Sequence, residues 1–349
     1  MQVDAALERA RQLYAERAWA AARTALLDRD AVRPLEPGDL VLASIAAYMT
    51  GRNAESVQLM IRTYEGFLAA GDEAMAARAA FWLCFTLLNA GDVVHAGAWA
   101  ERSKRLIGDG EGSDAALRGY HESLRAHQLV GSGHPDQALA LSLALIEVAC
   151  DADEPDLEAL SRVNAGQALV ALGRAQQALA QLDQVILAVE SDLLSPPVAG
   201  LAYCAVILAC LRLFDLRRAR DWTAALTAWC DAQSGDVPYR GQCQVHRAHL
   251  MTLQGDWVGA LAEARAAVDR LDGHVLGEAY YQLGELYRLR GETEPAEQSY
   301  RQANSCGVQP EPGLSRLRLA QGRVDAAVRT VRALHAEPGR SDRAEILAV

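Results

Sequence analysis

What most constrains this chain is a spacing. A turn residue recurs every 31 to 42 positions, at Arg17, Gly51, Gly91, Gly133, Gly173, Phe214, Gly255, Gly291 and Gly322. Five positions after each stands a small residue: Ala22, Ser56, Ala96, Ala138, Ala178, Ala219, Ala260, Ala296 and Ala327. A period of this size marks stacked helical hairpins, because one hairpin cannot bury its apolar face without neighbours. The small residue marks where the second helix of each hairpin must touch the first. Nine hairpins are predicted, separated by breakers such as Arg33–Gly38, Asp109–Gly112, Ser195-Pro196-Pro197 and Pro310–Gly313. No linker is long enough to tether separate domains. The chain therefore reads as one superhelical domain over 1–349, an all-α, right-handed α-solenoid. Ser341–Val349 reads as the start of a tenth hairpin that stays incomplete, with Ile346, Leu347 and Val349 forming an apolar end. That end motivates an expectation of self-association, or of a protein partner, through the C-terminal hairpin.

Composition fits a helical array. Half of the residues are apolar, Ala and Leu dominate, and only 6% are aromatic. Ala favours helix and permits close helix packing. A net charge of −11 makes the chain a poor general binder of phosphate backbones, which leaves room only for a local basic patch, so no direct nucleic-acid partner is expected. The basic run Arg217-Arg218-Ala219-Arg220 reads as a solvated helix face. Seven scattered cysteines without a C-x-x-C read as buried thiols of a reducing compartment. With no apolar run of membrane-spanning length and no signal-peptide pattern at Met1–Asp4, a cytoplasmic protein with no membrane partner is expected.

The hairpin at Gly291 carries the fullest signature. Glu278-Ala279-Tyr280-Tyr281-Gln282-Leu283-Gly284-Glu285-Leu286-Tyr287 is followed by Gly291, Ala296, Tyr300 and Ala303. Gly284 and Ala296 allow close approach, while Tyr280, Leu283, Tyr287 and Tyr300 fill the space around it. This register resembles tetratricopeptide repeats, so the fold class becomes a solenoid of about nine tetratricopeptide-like hairpins. Residues 283–291, residues 313–322 and Ala80-Phe81-Trp82-Leu83 also look like the helical-repeat sensor region of LuxR-type, MalT-like bacterial regulators. In that family the repeats sense a ligand or partner, and a C-terminal helix-turn-helix binds DNA. This chain has neither a G-x-x-x-x-G-K-[ST] phosphate loop nor a basic recognition helix, so ATP hydrolysis of that kind and DNA binding do not carry over, and a sensing module is what the resemblance implies.

The tetratricopeptide resemblance implies that first helices line a concave groove. It places Glu278, Tyr281, Gln282, Glu285 and Arg288 there, with Gln242, Val245, His246, His249 and Thr252 from the preceding hairpin. Asn164 and Gln167, Tyr120 and His127, and Arg78, Phe81, Trp82, Phe85 and Leu88 come from earlier hairpins. The N-terminal half of the groove is thus aromatic and apolar, and the C-terminal half polar and ionisable. Such a lining suits a small molecule or an extended peptide. Cys243, His246 and His249 share one helix face at spacings of three. They lack H-E-x-x-H and a further ligand, so no metal and no cofactor is assigned. Trp19 and Trp257, two residues after their turns, are expected to pack between helices. Trp99, Trp222 and Trp229 are expected in the core or on the convex face.

Three functions follow. The first is a non-catalytic sensor or adaptor that binds a ligand or peptide in its groove. The second is an enzyme using His246, His249, Glu278 and Glu285 for acid-base chemistry on a hydrophobic small molecule. The third is the sensor region of a truncated regulator.

Overall fold

The computed structural model describes residues 4–108, 114–233, 237–271 and 273–336. Among them are eighteen α-helices and no strand. They pair as α1 (Ala5–Ala15) with α2 (Trp19–Val32), α3 (Pro37–Tyr48) with α4 (Asn53–Ala69), and α5 (Glu73–Asn89) with α6 (Val93–Ile107). The middle pairs are α7 (Ala115–Gly131) with α8 (Pro135–Asp151), α9 (Pro155–Ala171) with α10 (Ala175–Glu190), and α11 (Pro196–Arg212) with α12 (Leu216–Ala232). The last are α13 (Tyr239–Gln254) with α14 (Trp257–Val268), α15 (Gly273–Leu289) with α16 (Thr293–Ser305), and α17 (Gly313–Ala320) with α18 (Val324–Ala336). The segment 341–349, expected to open a tenth hairpin, lies outside the described residues.

Local chemistry explains the punctuation. All nine predicted turn residues have positive φ, including Arg17 at 57° and Phe214 at 56°. At Gly91 the amide bonds Leu88 O and the Asp92 amide bonds Leu87 O, which closes α5 in a Schellman motif. Asp92 then caps α6 by accepting the His95 N–H at 3.2 Å. Asp215 and Asp256 cap α12 and α14 in the same way. Each such cap contributes about 1 kcal/mol. Pro37, Pro135, Pro155 and Pro196 open α3, α8, α9 and α11, where a missing N–H costs nothing.

The small residues five positions after each turn are all buried, from 0% exposed at Ala22 to 3% at Ser56. They meet a second small register on the first helices, seven residues before the turn: Ala10, Ser44, Cys84, Ala126, Gly166, Ala248, Gly284 and Ser315. In the second hairpin the two registers touch through side chains, Ser44 Oγ lying 3.1 Å from Ser56 Oγ. A third register lies fourteen residues before the turn, at Ala77, Gly119, Ala159, Gly200, Gly241 and Gly277. It packs each hairpin on the next. A Cβ on its glycines would collide with Leu157, Tyr239, Leu271 and Val308 respectively. Each helix packs on its successor. Most neighbouring first helices also touch one another, so they form the inner layer.

The array also meets itself. The turn at Arg17 pairs with Asp192, and the Trp19 indole N–H donates to Gln233 Oε1 at 3.0 Å. Tyr48 and Tyr239 join hydroxyls at 3.1 Å, and Tyr239 OH donates to Pro197 O at 2.6 Å. The turn at Ala90–Gly91 lies against Gly273–His274. Each of these turns meets a junction four to five hairpins further on, so about five hairpins make one gyre. One apolar cluster consequently runs from Trp19 through Tyr48 and Tyr120 to Tyr239 and Leu250. The seam separates the fates of two tryptophans at the same offset. Trp19 is buried against the second gyre, whereas Trp257, also expected between helices, is 38% exposed. Among the described residues only the α15–α16 and α17–α18 hairpins follow its own, fewer than the five of a gyre.

Candidate functional site

First helices carry many of the candidate groove residues, though not all, to two separate chambers. The C-terminal chamber has a volume of about 110 Å³ and is bounded by Val245, His246 and His249 of α13, by Glu278, Tyr281 and Gln282 of α15, and by Leu208 and Val308. His246 is 4% exposed, and its Nε2 has no hydrogen-bond partner. Burial, followed by the neighbouring His249, pushes its pKa down to about 4, so the imidazole is neutral at pH 7. Burial also lowers the pKa of His249, with Glu285 acting in the opposite sense. Glu278 is raised by burial, partly offset by His274 and Arg212. The chamber thus presents uncharged imidazoles beside a carboxyl that resists ionisation.

Glu285 and Arg288 are on the same helix but are engaged elsewhere. They form a two-point ion pair at 3.1 and 2.7 Å, and Tyr300 OH also donates to Glu285. Glu285 is therefore not a free base. Cys243 faces away from the two histidines, its sulfur 3.0 Å from Thr227 Oγ1 and 3.2 Å from Arg247 Nη1. Among the described residues no three His, Cys, Asp or Glu side chains gather to hold a metal ion.

The N-terminal chamber holds about 80 Å³ between Phe81, Phe85 and Leu88 of α5, Leu124 and His127 of α7, and Leu160, Asn164 and Gln167 of α9. Asn164 is fixed by donating to Ser123 O at 2.9 Å. His127 is open to this space yet enclosed by the superhelix, and desolvation lowers its pKa against the pull of Asn164. Tyr120 lies deeper, 1% exposed beneath Phe81 at a ring distance of 4.8 Å. Trp82 turns the other way, toward α3 and α4.

A further cavity of about 280 Å³ lies on the seam itself, between Tyr48, Asn53 and Asn89 of the first gyre and Tyr239, Gln242 and Arg270 of the second. Asn53 Oδ1 and Asn89 Nδ2 are buried there without partners. Nothing in the sequence pointed to Asn53 and Asn89. The repeat pattern encodes contacts between adjacent hairpins, and across this cavity these residues face hairpins more than 110 positions away.

The tetratricopeptide repeat family profile matches residues 277–305, within α15 and α16. No curated protein is similar to the chain in sequence. Among solved structures, a Rap protein complexed with Competence and Sporulation Factor superposes with a TM-score of 0.54 at 14% identity, covering 86% of this chain and 96% of that one. A tetratricopeptide repeat protein from Parabacteroides merdae gives 0.46 at 14% identity, over 82% and 99% of the two chains. A Pyrococcus horikoshii signal-transduction ATPase with a tetratricopeptide repeat sensor gives 0.42 at 12% identity, over 82% of this chain and 43% of that one. The described residues form an all-helical repeat solenoid, with the tetratricopeptide repeat profile matched by the α15–α16 hairpin. No helix among them is long and apolar enough to cross a membrane.

Proposed function

We propose that this protein is a non-catalytic binding module, cytoplasmic, whose interior takes a small molecule or an extended peptide. The observation that carries this reading is the His246 imidazole. It is buried and lines a cavity, with one ring nitrogen unmet. An unmet buried polar group costs about 1–3 kcal/mol, which a bound hydrogen-bonding ligand would offset. His249, Glu278, Tyr281 and Gln282 supply further polar contacts. Phe81, Phe85, His127, Asn164 and Gln167 form a second, more apolar subsite. The Rap protein of the same fold, complexed with a factor, supports a binding role. A sensor region like that of LuxR-type regulators is the finer form of this proposal, supported by the strings at 283–291 and 313–322 that build α15 and α17. The enzyme reading draws less support, because Glu285 is held by Arg288 and Tyr300.

Native mass spectrometry of the protein from its own cells tests the proposal. A bound small molecule or peptide is expected, and His246→Ala should lose both that mass and its thermal stabilisation. An empty interior in every preparation would refute it.

A further inference from the structure

Trp82 borders a cavity that neither chamber includes. About 150 Å³ in volume, it opens between α3, α4, α5 and the starts of α9 and α11. Ile45, Met60, Trp82 and Phe85 make an apolar wall, and Asp156 lies on the polar side with Arg78, Ser195 and the hydroxyl residues Ser44, Ser56 and Thr86. A cavity of this size accepts roughly a benzene-sized group.

The charges around it do not cancel. Arg78 also borders the cavity, but its guanidinium is held by both oxygens of Glu154 at 2.7 and 2.6 Å. It lies 5.0 Å above the Tyr120 ring, and Tyr120 OH donates to Glu154 at 3.0 Å. Arg78 and Glu154 thus neutralise one another. Asp156 draws its hydrogen bonding from Ser195, whose N–H lies at 2.9 Å, and forms no ion pair among the described residues. Burial raises its pKa, with Ser195 and Arg78 only partly offsetting the effect. An apolar pocket with one uncompensated carboxylate is complementary to an apolar cation.

We propose that this cavity binds a primary ammonium carried on an aromatic or branched aliphatic group, with the ammonium on Asp156 and the apolar part against Trp82, Phe85, Ile45 and Met60. The site rests on the reading of the interior as ligand-binding, but it is separate from the His246 chamber. A free amine and the amino end of a peptide beginning with Phe or Leu share this chemistry.

Calorimetric titration of the full chain tests it with 2-phenylethylamine, 2-phenylethanol and 3-phenylpropionate. Phe-Gly-Gly and its N-acetyl form separate the peptide source from the free amine. The amine should bind at least tenfold more tightly than the alcohol and the acid, and acetylation should abolish peptide binding. Asp156→Asn should weaken amine binding tenfold or more, and Trp82→Ala should weaken all three phenyl probes. Equal affinity for amine, alcohol and acid, or no binding by any probe, overturns the proposal. These comparisons use the wild type and decide the matter even if Asp156→Asn fails to fold. His246→Ala run in parallel should leave amine affinity unchanged. Loss of the ligand from the cell with amine selectivity intact bears only on the His246 chamber, and loss of selectivity alone only on Asp156.

Discussion

The α11–α12 and α15–α16 hairpins share one plan and depart from each other at two positions. In α15 the small register is kept by Gly284, where a Cβ would press on the Tyr300 ring, and the turn is Gly291. In α11 the same register holds Ile207, and the turn is Phe214, 81% exposed at a φ of 56°. α11 and α12 pack less closely than α15 and α16. Their surroundings differ too. α11 is buried on nearly every side and reaches across to α3, whereas α15 keeps an amphipathic pattern. The family signature is cleanest in a hairpin that meets the other gyre only at its first residues, Gly273 and His274 against Ala90–Gly91. Where the gyres meet, packing from a third direction replaces it.

Four substitutions break or sharpen this contrast. The largest effect is expected from Ile207→Ala, which restores the small residue that the other eight hairpins carry. Ile207 is fully buried, so the change should leave a cavity and cost about 3 kcal/mol in urea denaturation. Unchanged stability would mean that α11 follows the common plan after all. Gly200→Ala should cost about 2 kcal/mol, because its methyl would enter the Tyr239 ring, which is held at its hydroxyl by Pro197 O and Tyr48. Tyr239→Phe removes those hydrogen bonds and should cost about 1.5 kcal/mol, read as a lower midpoint at unchanged slope. Phe214→Gly should instead stabilise by about 0.5 kcal/mol, since an exposed side chain relinquishes a left-handed backbone conformation. A loss of stability there would give the Phe214 ring a packing role.

The fold was legible because its rules are local. Nine turns, each followed by a small residue, sufficed to place the paired helices, and the profile match falls on the best copy, at 277–305. The candidate site was legible to the extent that it lies on the faces of first helices. His246, His249, Glu278, Tyr281 and Gln282 do share a chamber, as do Phe81, Phe85, His127, Asn164 and Gln167. Side-chain partnership was not legible. The Glu285–Arg288 pair lies along one helix, yet its closure by Tyr300 depends on how α15 meets α16. Trp19 on Gln233 and Tyr48 on Tyr239 depend on the pitch of the superhelix, which accumulates from small rotations that no single repeat records. The register fourteen residues before the turn was available to inspection, since four glycines and two alanines occupy it.

The seam changes what kind of polymer this is. In an ordinary repeat array the stability is a sum over adjacent units, and a unit can be duplicated or lost with little consequence elsewhere. Here Arg17, Tyr48 and Gly91 each need a counterpart about five units away. Inserting one hairpin between the third and the fifth would shift every counterpart by a unit, setting Tyr48 opposite the wrong junction. The number of hairpins between seam partners is thereby fixed by geometry. Contacts across nearly two hundred residues raise contact order, so folding should be slower and more all-or-none than in a linear array of equal length.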